Sequence, residues 1–238
     1  MKRIGVLGGM GPSATVDFME KIIQLTPASC DQEHLPVVVA NLPQVPDRSR
    51  AILGVGEDPL PALLDGIDVL NKANVGVIAI PCNSSHHWYE QMAARSHCDV
   101  IHIAQACVAA VPATRNAKVA IFATRGAIAS GFYQAYLNKR GIDFFIPDAS
   151  HGQVEIDECI RSIKASEMAE GARSLGLALA KMKQQGVSAV IMGCTEIPIA
   201  ARHLGGSDLT LIDSTMELAR ATVNYALSKG WNKVPCIS

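Results

Sequence analysis

The sequence predicts an α/β fold in which helices cover both faces of mostly parallel sheet. Three observations lead to this prediction. Runs of aliphatic and β-branched residues recur along the 238 residues and indicate buried strands. Segments with a helical pattern separate these runs, as expected when parallel strands are joined by crossover helices. Two of the strand-like runs end in near-matching cysteine motifs, one in each half of the chain.

Short apolar runs define the strands, and helical patterns fill the segments between them. The predicted strands, in chain order, are Arg3–Leu7, Val37–Leu42, Val75–Ile80, Val100–Ile103, Lys118–Phe122, Phe144–Ile146, Ala189–Met192 and Leu209–Ile212. The predicted helices are Ala14–Leu25, Leu60–Lys72, His86–Ala94, Ala104–Val111, Ala127–Lys139, Val154–Ile163, Glu167–Gln185 and Thr215–Ser228. Parallel sheets bind ligands outside the carboxyl ends of their strands, where the strand order reverses, so both cysteine motifs belong on that functional edge.

Length allows either one large α/β domain or two smaller ones. A polar break before the fifth strand, over Pro112–Asn116, predicts a boundary there. The two strand–cysteine–polar–helix units hint at a duplication, although fold constraints alone also produce such similarity.

Composition excludes several classes of protein. The chain carries 21 basic and 22 acidic residues and is 49% apolar. No basic patch stands out, which argues against nucleic acid as a partner. No apolar run is long enough to span a bilayer, and the start over residues 1–9 is interpreted as a strand and turn rather than a signal peptide. We therefore expect a soluble, cytoplasmic protein without a membrane partner.

Cysteine usage fits the same compartment. The seven cysteines are scattered and no Cys-x-x-Cys occurs, so reduced thiols are expected rather than a disulfide framework. Two of them stand out by their surroundings: Cys82 precedes Asn83-Ser84-Ser85-His86, and Cys194 precedes Thr195-Glu196-Ile197-Pro198. Each thiol is expected beside backbone N–H groups at a helix start, a setting that favours thiolate. The pair predicts two bases that face each other across one cleft.

Polar residues beside the two thiols suit the binding of a carboxylate. Asn83, Ser84 and Ser85 supply amide, hydroxyl and backbone donors, and Thr195 can donate its hydroxyl. Glu196 allows two interpretations of equal weight. It either orients Cys194 or relays its proton, or it is an ordinary first-turn carboxylate favoured by the helix dipole.

A metal site at the first motif is an alternative, because Cys82 and His86 are four positions apart and can share a helix face. No spacing in the chain supplies the further ligands that such a site needs, so no metal is expected. His86 and His87 are therefore interpreted as packing or surface residues.

The glycine-rich turn after the first strand contains Gly9-x-Gly11-x-x-Ala14, a loose match to a dinucleotide fingerprint. The second strand ends without the acidic residue that would hold a ribose, which argues against nicotinamide binding. A turn that lets backbone approach a small anionic ligand at a helix start is the better functional interpretation. A tight turn with no further role is the structural alternative.

Cationic residues follow other strand ends. Arg48 lies in a loop after the second strand, where an arginine can clamp a carboxylate bidentately. Arg161 and Lys164 lie in or just past the helix Val154–Ile163, where basic residues are more often solvated. Thr124 follows the fifth strand and offers another hydroxyl at the same edge of the sheet.

With the segments Gly-Gly-Met-Gly-Pro, Pro-Cys-Asn-Ser-Ser-His and Gly-Cys-Thr-Glu-Ile-Pro in place, the chain resembles the aspartate/glutamate racemase family over essentially its whole length. Within that family it is most similar to the cofactor-independent aspartate racemases. Glutamate racemases carry Asp-Ser-Gly in the first turn and Cys-Thr-His in the last motif, and the chain departs from both patterns. Arylmalonate decarboxylases retain only one of the two thiols, so the presence of both favours racemisation.

The resemblance implies two pseudo-symmetric α/β domains, each a mostly parallel sheet flanked by helices, with the active site in the cleft between them. The first domain would comprise residues 1–112 plus 213–238, and the second residues 113–212. The resemblance also implies a homodimer and no cofactor. By motif, the catalytic thiols are Cys82 and Cys194, and the segment that binds the α-carboxylate is Asn83, Ser84 and Ser85, helped by Thr124 and Thr195. It further places Arg48 and Lys164 at the substrate's carboxylates and Met10 in the lining of the pocket.

These inferences lead to the expectation of a cofactor-independent racemase that moves the Cα proton of an acidic amino acid between two thiols. A binding or sensor protein that keeps the cleft without turnover is the main alternative. A relative that acts on another substrate, such as a maleate isomerase or a hydantoin racemase, is the second.

Overall fold

The computed structural model describes residues 2–112 and 118–232. The predicted boundary at Pro112–Asn116 lies mostly outside these residues, so the predicted domain limits stay a prediction. Two four-stranded parallel sheets organise the chain. The first contains β1 (Ile4–Gly8), β2 (Val37–Asn41), β3 (Val77–Ala79) and β4 (Asp99–Ile101). The second contains β5 (Val119–Phe122), β6 (Phe144–Phe145), β7 (Ala189–Met192) and β8 (Thr210–Asp213).

Both sheets have the same topology, since the orders β2-β1-β3-β4 and β6-β5-β7-β8 are equivalent. In each sheet the order reverses between the two central strands, which pair in register as Val6 with Ala79 and as Phe122 with Met192. The loops after these central strands therefore flank a crevice in each half. The predicted α/β fold with two pseudo-symmetric sheets is confirmed.

Helices cover both faces of each sheet. They are α1 (Pro12–Leu25), α2 (Arg48–Ile52), α3 (Leu60–Lys72), α4 (Tyr89–Arg95), α5 (Ile103–Ala109), α6 (Arg125–Ser130), α7 (Phe132–Lys139), α8 (Gln153–Lys164), α9 (Met168–Gln184), α10 (Glu196–Ala201) and α11 (Ser214–Ser228), with short 3-10 turns at Asp31–Glu33 and Ser84–Trp88. Among residues 2–112 and 118–232, no helix combines the length and apolar character needed to cross a bilayer.

Several helix predictions need correction. The predicted helix Ala127–Lys139 is two helices, because Gly131 adopts a left-handed φ of 74° and ends the first of them. The predicted helix His86–Ala94 begins as the 3-10 turn and becomes α-helical only at Tyr89. Helix α2 was not predicted, because five residues are too few to show a helical period, and α10 was expected only as a helix start after Cys194, without bounds.

Alternation along the central strands builds a core on each face of each sheet. In the first sheet, Leu7 and Ile78 face one buried cluster, whereas Val6 and Val77 face the other. The last helix, α11, belongs to this second cluster through side chains that include Leu218 and Val223. After completing the second sheet, the chain therefore packs its last helix against the first half.

Candidate active site

One pocket lies between the two sheets and is lined from both halves of the chain. Its walls come from the loops after β1, β2, β3, β5 and β7 and from the end of α8, and its lining residues are Met10, Asp47, Arg48, Ser49, Cys82, Asn83, Ser84, Thr124, Lys164, Cys194, Thr195 and Glu196. Both thiols are among them, and they are 5% and 7% exposed. Each motif lies at the carboxyl end of a central strand, as the topology predicts, and the two strand ends meet at one site.

Ser85 is the one predicted site residue that does not line this pocket. It is fully buried, and its hydroxyl donates to the backbone oxygen of Cys82 at 2.8 Å. Its predicted contact with a substrate carboxylate is therefore not supported. Spacing alone could not separate the two serines, because they sit side by side in a 3-10 turn whose geometry turns only Ser84 towards the pocket.

The backbone of Cys82 is held by a second buried contact, from His86. Nδ1 of His86 lies 2.9 Å from the Cys82 oxygen, and the backbone N–H of Ile103 donates to Nε2 at 3.2 Å. Burial lowers the pKa of His86 to about 4, so the ring is neutral at pH 7, with its proton on Nδ1 fitting both contacts. His87 is exposed. The interpretation of these histidines as packing and surface residues is confirmed.

Cys194 lies in a different electrostatic setting from the one predicted. Its thiol donates to Oε2 of Glu196 at 3.0 Å, and Thr195 donates to the same oxygen at 3.2 Å. Burial, and next the negative charge of Glu196, raise the pKa of Cys194 well above its usual range. The prediction that a helix start favours thiolate is therefore wrong for Cys194, because desolvation and a neighbouring carboxylate outweigh the dipole of the short helix α10.

The two predicted cations are held differently. Arg48 opens α2 rather than lying in a loop, and its guanidinium donates to the backbone oxygens of Val45, Pro46 and Met10 at 2.9, 2.9 and 3.2 Å. Arg48 thus ties the end of β2 to the glycine-rich turn. Lys164, at the end of α8, makes no hydrogen bond or ion pair within the described part of the chain. Desolvation by the surrounding protein would by itself lower the pKa of its ammonium. The negative charges of Glu196 and the other acidic groups of the pocket outweigh this effect, so the pKa is raised overall.

Three hydroxyls join the two halves at the edge of the pocket. The Thr124 oxygen caps α6 by accepting from the N–H of Ala127 at 3.2 Å. Ser49 donates to Thr124 at 2.8 Å, and Ser84 lies 3.0 Å from it. Thr124 is therefore a junction between the loops that follow β2, β3 and β5.

Sequence reasoning missed two lining residues, Asp47 and Ser49. Asp47 caps α2, with Oδ1 accepting from the N–H of Arg50 at 2.8 Å. The Asp-x-x pattern of a helix cap was the available signal, and the shortness of α2 hid it. Asp47, Glu196, Arg48 and Lys164 all line the pocket, so it presents both signs of charge. This pattern suits a zwitterionic ligand that carries an ammonium and at least one carboxylate.

The glycine-rich turn has a packing role. Gly9 adopts a φ of 94°, and a Cβ there would lie 2.4 Å from the backbone of Leu42, so the turn packs tightly on the end of β2. Across the portions 2–112 and 118–232, no group of three or more His, Cys, Asp or Glu side chains is arranged to hold a metal ion.

Comparison with known proteins places these features in a family. A model described as Asp/Glu/Hydantoin racemase matches residues 7–222. The broad specificity amino-acid racemase RacX of Bacillus subtilis is 29% identical over 229 residues, which cover 94% of this chain and 98% of the relative. The solved structure of Picrophilus torridus aspartate racemase superposes with a TM-score of 0.84 at 27% identity, covering 95% of this chain and 94% of that one. Glutamate racemase of Francisella tularensis, in complex with D-glutamate, has the same fold, with a TM-score of 0.71 at 17% identity over 98% of this chain and 84% of that one.

Proposed function

Because the chain belongs to the Asp/Glu/hydantoin racemase family, we propose that it is an amino-acid racemase that needs no pyridoxal phosphate and prefers an acidic amino acid. The observation that carries this proposal is the meeting of Cys82 and Cys194, one from each half, in the lining of a single pocket. Two thiols on opposite faces of one carbon are sufficient to remove a proton from one side and return one to the other.

In the proposed reaction, Cys82 as thiolate takes the Cα proton, and the electron pair passes into the α-carboxylate as an enediolate forms. Cys194, whose raised pKa keeps it a thiol, gives its proton to the opposite face of Cα. Once the product has formed, Cys82 is a thiol and Cys194 is a thiolate. The reverse reaction uses the two groups in exchanged roles. Glu196 accepts the hydrogen bond of the resting thiol, and after Cys194 has given up its proton the same carboxylate is suited to relay a proton from water back to the sulfur.

Stabilising the carbanion is the harder part of this chemistry, because Cα–H is far less acidic than a thiol. Hydrogen-bond donors aimed at the α-carboxylate as its charge grows would supply that stabilisation, and losing one such donor typically costs about 100- to 1000-fold in rate. Ser84, Asn83, Thr124 and Thr195 line the pocket where these donors are needed.

The substrate preference is proposed from the charges of the pocket. Lys164 lacks a partner in residues 2–112 and 118–232 and is positioned in the lining to meet a second carboxylate, while Asp47 is suited to accept from the substrate ammonium. Similarity to the protein named as an aspartate racemase supports aspartate as the substrate, whereas similarity to the protein named as a broad specificity racemase supports a wider range. Chiral chromatography of a panel of amino acids after incubation would separate these two outcomes.

Exchange of the α-hydrogen tests the activity directly. In deuterated water, the protein should place deuterium at Cα of both L- and D-aspartate while it interconverts them. Cys82→Ala and Cys194→Ala should each abolish interconversion, whereas Cys30→Ala, an exposed cysteine away from the pocket, should leave it unchanged. Full racemisation by either pocket variant would exclude the two-thiol scheme, and binding of aspartate without any exchange would identify a sensor.

A hydantoin racemase is the second candidate, because the matching family model also includes hydantoin racemases. The same exchange assay with a 5-substituted hydantoin in place of aspartate would identify it. A maleate isomerase would instead convert maleate to fumarate without exchange at an amino-acid Cα.

A further inference from the structure

A buried chain of hydrogen bonds connects the neighbour of one thiol to the strand that carries the other. The hydroxyl of Tyr133, on α7, donates to Oδ1 of Asn83 at 2.6 Å. Nδ2 of Asn83 donates to the hydroxyl of Ser214 at 3.1 Å, and Ser214 donates to the backbone oxygen of Met192 at 2.7 Å. Tyr133 and Ser214 are fully buried, and Asn83 is 3% exposed.

This chain crosses between the two halves at the level of the thiols. Asn83 follows Cys82 directly, after β3 of the first sheet. Met192 ends β7 of the second sheet, two residues before Cys194, and it pairs with Asp213 on β8, so that Ser214 begins α11 beside it. The intervening Gly193 is also held, because its N–H donates to the oxygen of Phe122 at 2.7 Å. Two consecutive hydrogen bonds thus connect the residue after one thiol to the strand end that carries the other.

Within the proposed racemase function, we propose that Tyr133, Asn83 and Ser214 form a positioning network that fixes where the two thiols stand relative to each other. Tyr133 and Ser214 are not in the lining of the pocket, so their hydroxyls act through Asn83 and Met192 rather than on the substrate. The carboxamide of Asn83 uses its oxygen and one N–H within the network. Its second N–H makes no hydrogen bond among the described residues and stays available to the α-carboxylate.

The rate of two-base racemisation depends on the distance that such a network would hold. Both sulfurs must lie in line with one Cα, and a misplacement of about 1 Å can cost about 100-fold in rate. Because the thiols come from different sheets, their separation depends on contacts between the halves rather than on either sheet alone. A deeply buried network with both ends satisfied is the kind of contact that holds such a distance.

Two variants and two matched controls test the proposal. Tyr133→Phe and Ser214→Ala each remove one hydroxyl from the network. Among the described residues, Tyr89→Phe removes a tyrosine hydroxyl that bonds to Val100 within the first half, and Thr222→Val removes a buried hydroxyl that bonds to Leu218 within α11. We expect kcat for aspartate to fall about 10- to 100-fold in the network variants, with KM within about twofold, and both constants to stay near wild type in the controls.

The second measurement does not depend on activity. Dibromobimane bridges two nearby thiols, and mass spectrometry identifies the Cys82–Cys194 product. Its yield should fall severalfold in Tyr133→Phe and Ser214→Ala and stay unchanged in the controls. Should Ser214→Ala fail to fold, as judged by circular dichroism, Tyr133→Phe carries the test, because it loses a single oxygen atom.

The outcomes separate this proposal from the function on which it rests. Wild-type protein without α-hydrogen exchange would refute the racemase, while a lower bridging yield in the network variants would still support the positioning role. Unchanged kcat and unchanged bridging in both folded variants would overturn the positioning role. A rise in KM with kcat intact would also overturn it, because the network would then serve substrate binding.

Discussion

The Cys194 thiol and the Glu196 carboxylate lie two residues apart, and their contact helps burial to keep the thiol protonated. An ordinary first-turn carboxylate would point to solvent, but Glu196 is only 5% exposed and accepts from both Cys194 and Thr195. Lys164 nearby lowers the pKa of the thiol, yet burial and the Glu196 charge prevail and raise it. The resting pocket therefore favours the thiol form of Cys194 over the thiolate.

Replacing Glu196 by Gln should lower the pKa of Cys194, because a negative charge that opposes the thiolate is removed while the volume is kept. The pKa should remain above its usual range, since the burial of the sulfur is unchanged. Only the thiolate reacts with iodoacetamide, so the alkylation of Cys194 should begin at lower pH in Glu196→Gln than in wild type. Peptide mass spectrometry across a pH series gives the midpoint for this one cysteine.

Glu167→Gln is the matched control, because Glu167 is exposed and pairs with Arg161 on the surface. Its Cys194 midpoint should equal that of wild type. A midpoint for Glu196→Gln that is unchanged, or that moves to higher pH, would show that the carboxylate does not govern the thiol.

At the scale of helices and strands, the alternation of apolar runs with helical patterns carried most of the prediction. The apolar runs located the strands, and parallel connection then required the carboxyl ends of β3 and β7 to hold Cys82 and Cys194. Short elements were harder to predict: α2 shows no helical period and was missed together with Asp47 and Ser49, and α10 was expected only as a helix start after Cys194. The pattern over residues 127–139 looked continuous because it stays helical on both sides of Gly131, although the backbone there turns left-handed.

The break between α6 and α7 gives a test at this scale. A Cβ at Gly131 would meet no heavy atom within 4 Å among the described residues, so the cost of Gly131→Ala comes from its φ of 74° alone. We expect the free energy of unfolding to fall by about 1–2 kcal/mol, the usual cost of a left-handed conformation for a residue with a side chain.

Gly205→Ala serves as the comparison, because it also has open space around it but no left-handed φ. Urea unfolding should show Gly205→Ala unchanged or slightly more stable, by up to about 1 kcal/mol. Equal stability of the two variants would mean that the segment around residue 131 relaxes to a continuous helix.

Over the whole molecule, contacts between residues far apart in the sequence determine how the two sheets pack together. No local sequence pattern predicted these contacts. Lys21 on α1 is the clearest case. Its ammonium is buried and lies 2.7 Å from Asp17 on the same helix and 2.5 Å from Asp213 at the end of β8. Arg202, just past α10, pairs with Asp17 as well. A helix that packs on the first sheet is thereby joined to the second sheet by charge, through residues that lie 192 positions apart.

Replacing Lys21 by Met should leave two carboxylates facing a buried apolar side chain. Removing one member of a buried ion pair costs about 3–5 kcal/mol, and because Arg202 still pairs with Asp17 we expect a loss near 3 kcal/mol in the free energy of unfolding. Lys183→Met removes an exposed pair with Asp208 and should change stability by no more than about 1 kcal/mol. Urea titration of both variants measures the difference.

Because Asp213 also caps α11 at the N–H groups of Thr215 and Met216, the loss should be accompanied by faster hydrogen exchange at that helix start. A Lys21→Met protein as stable as Lys183→Met would show that this buried ion pair does not help to hold the two sheets together.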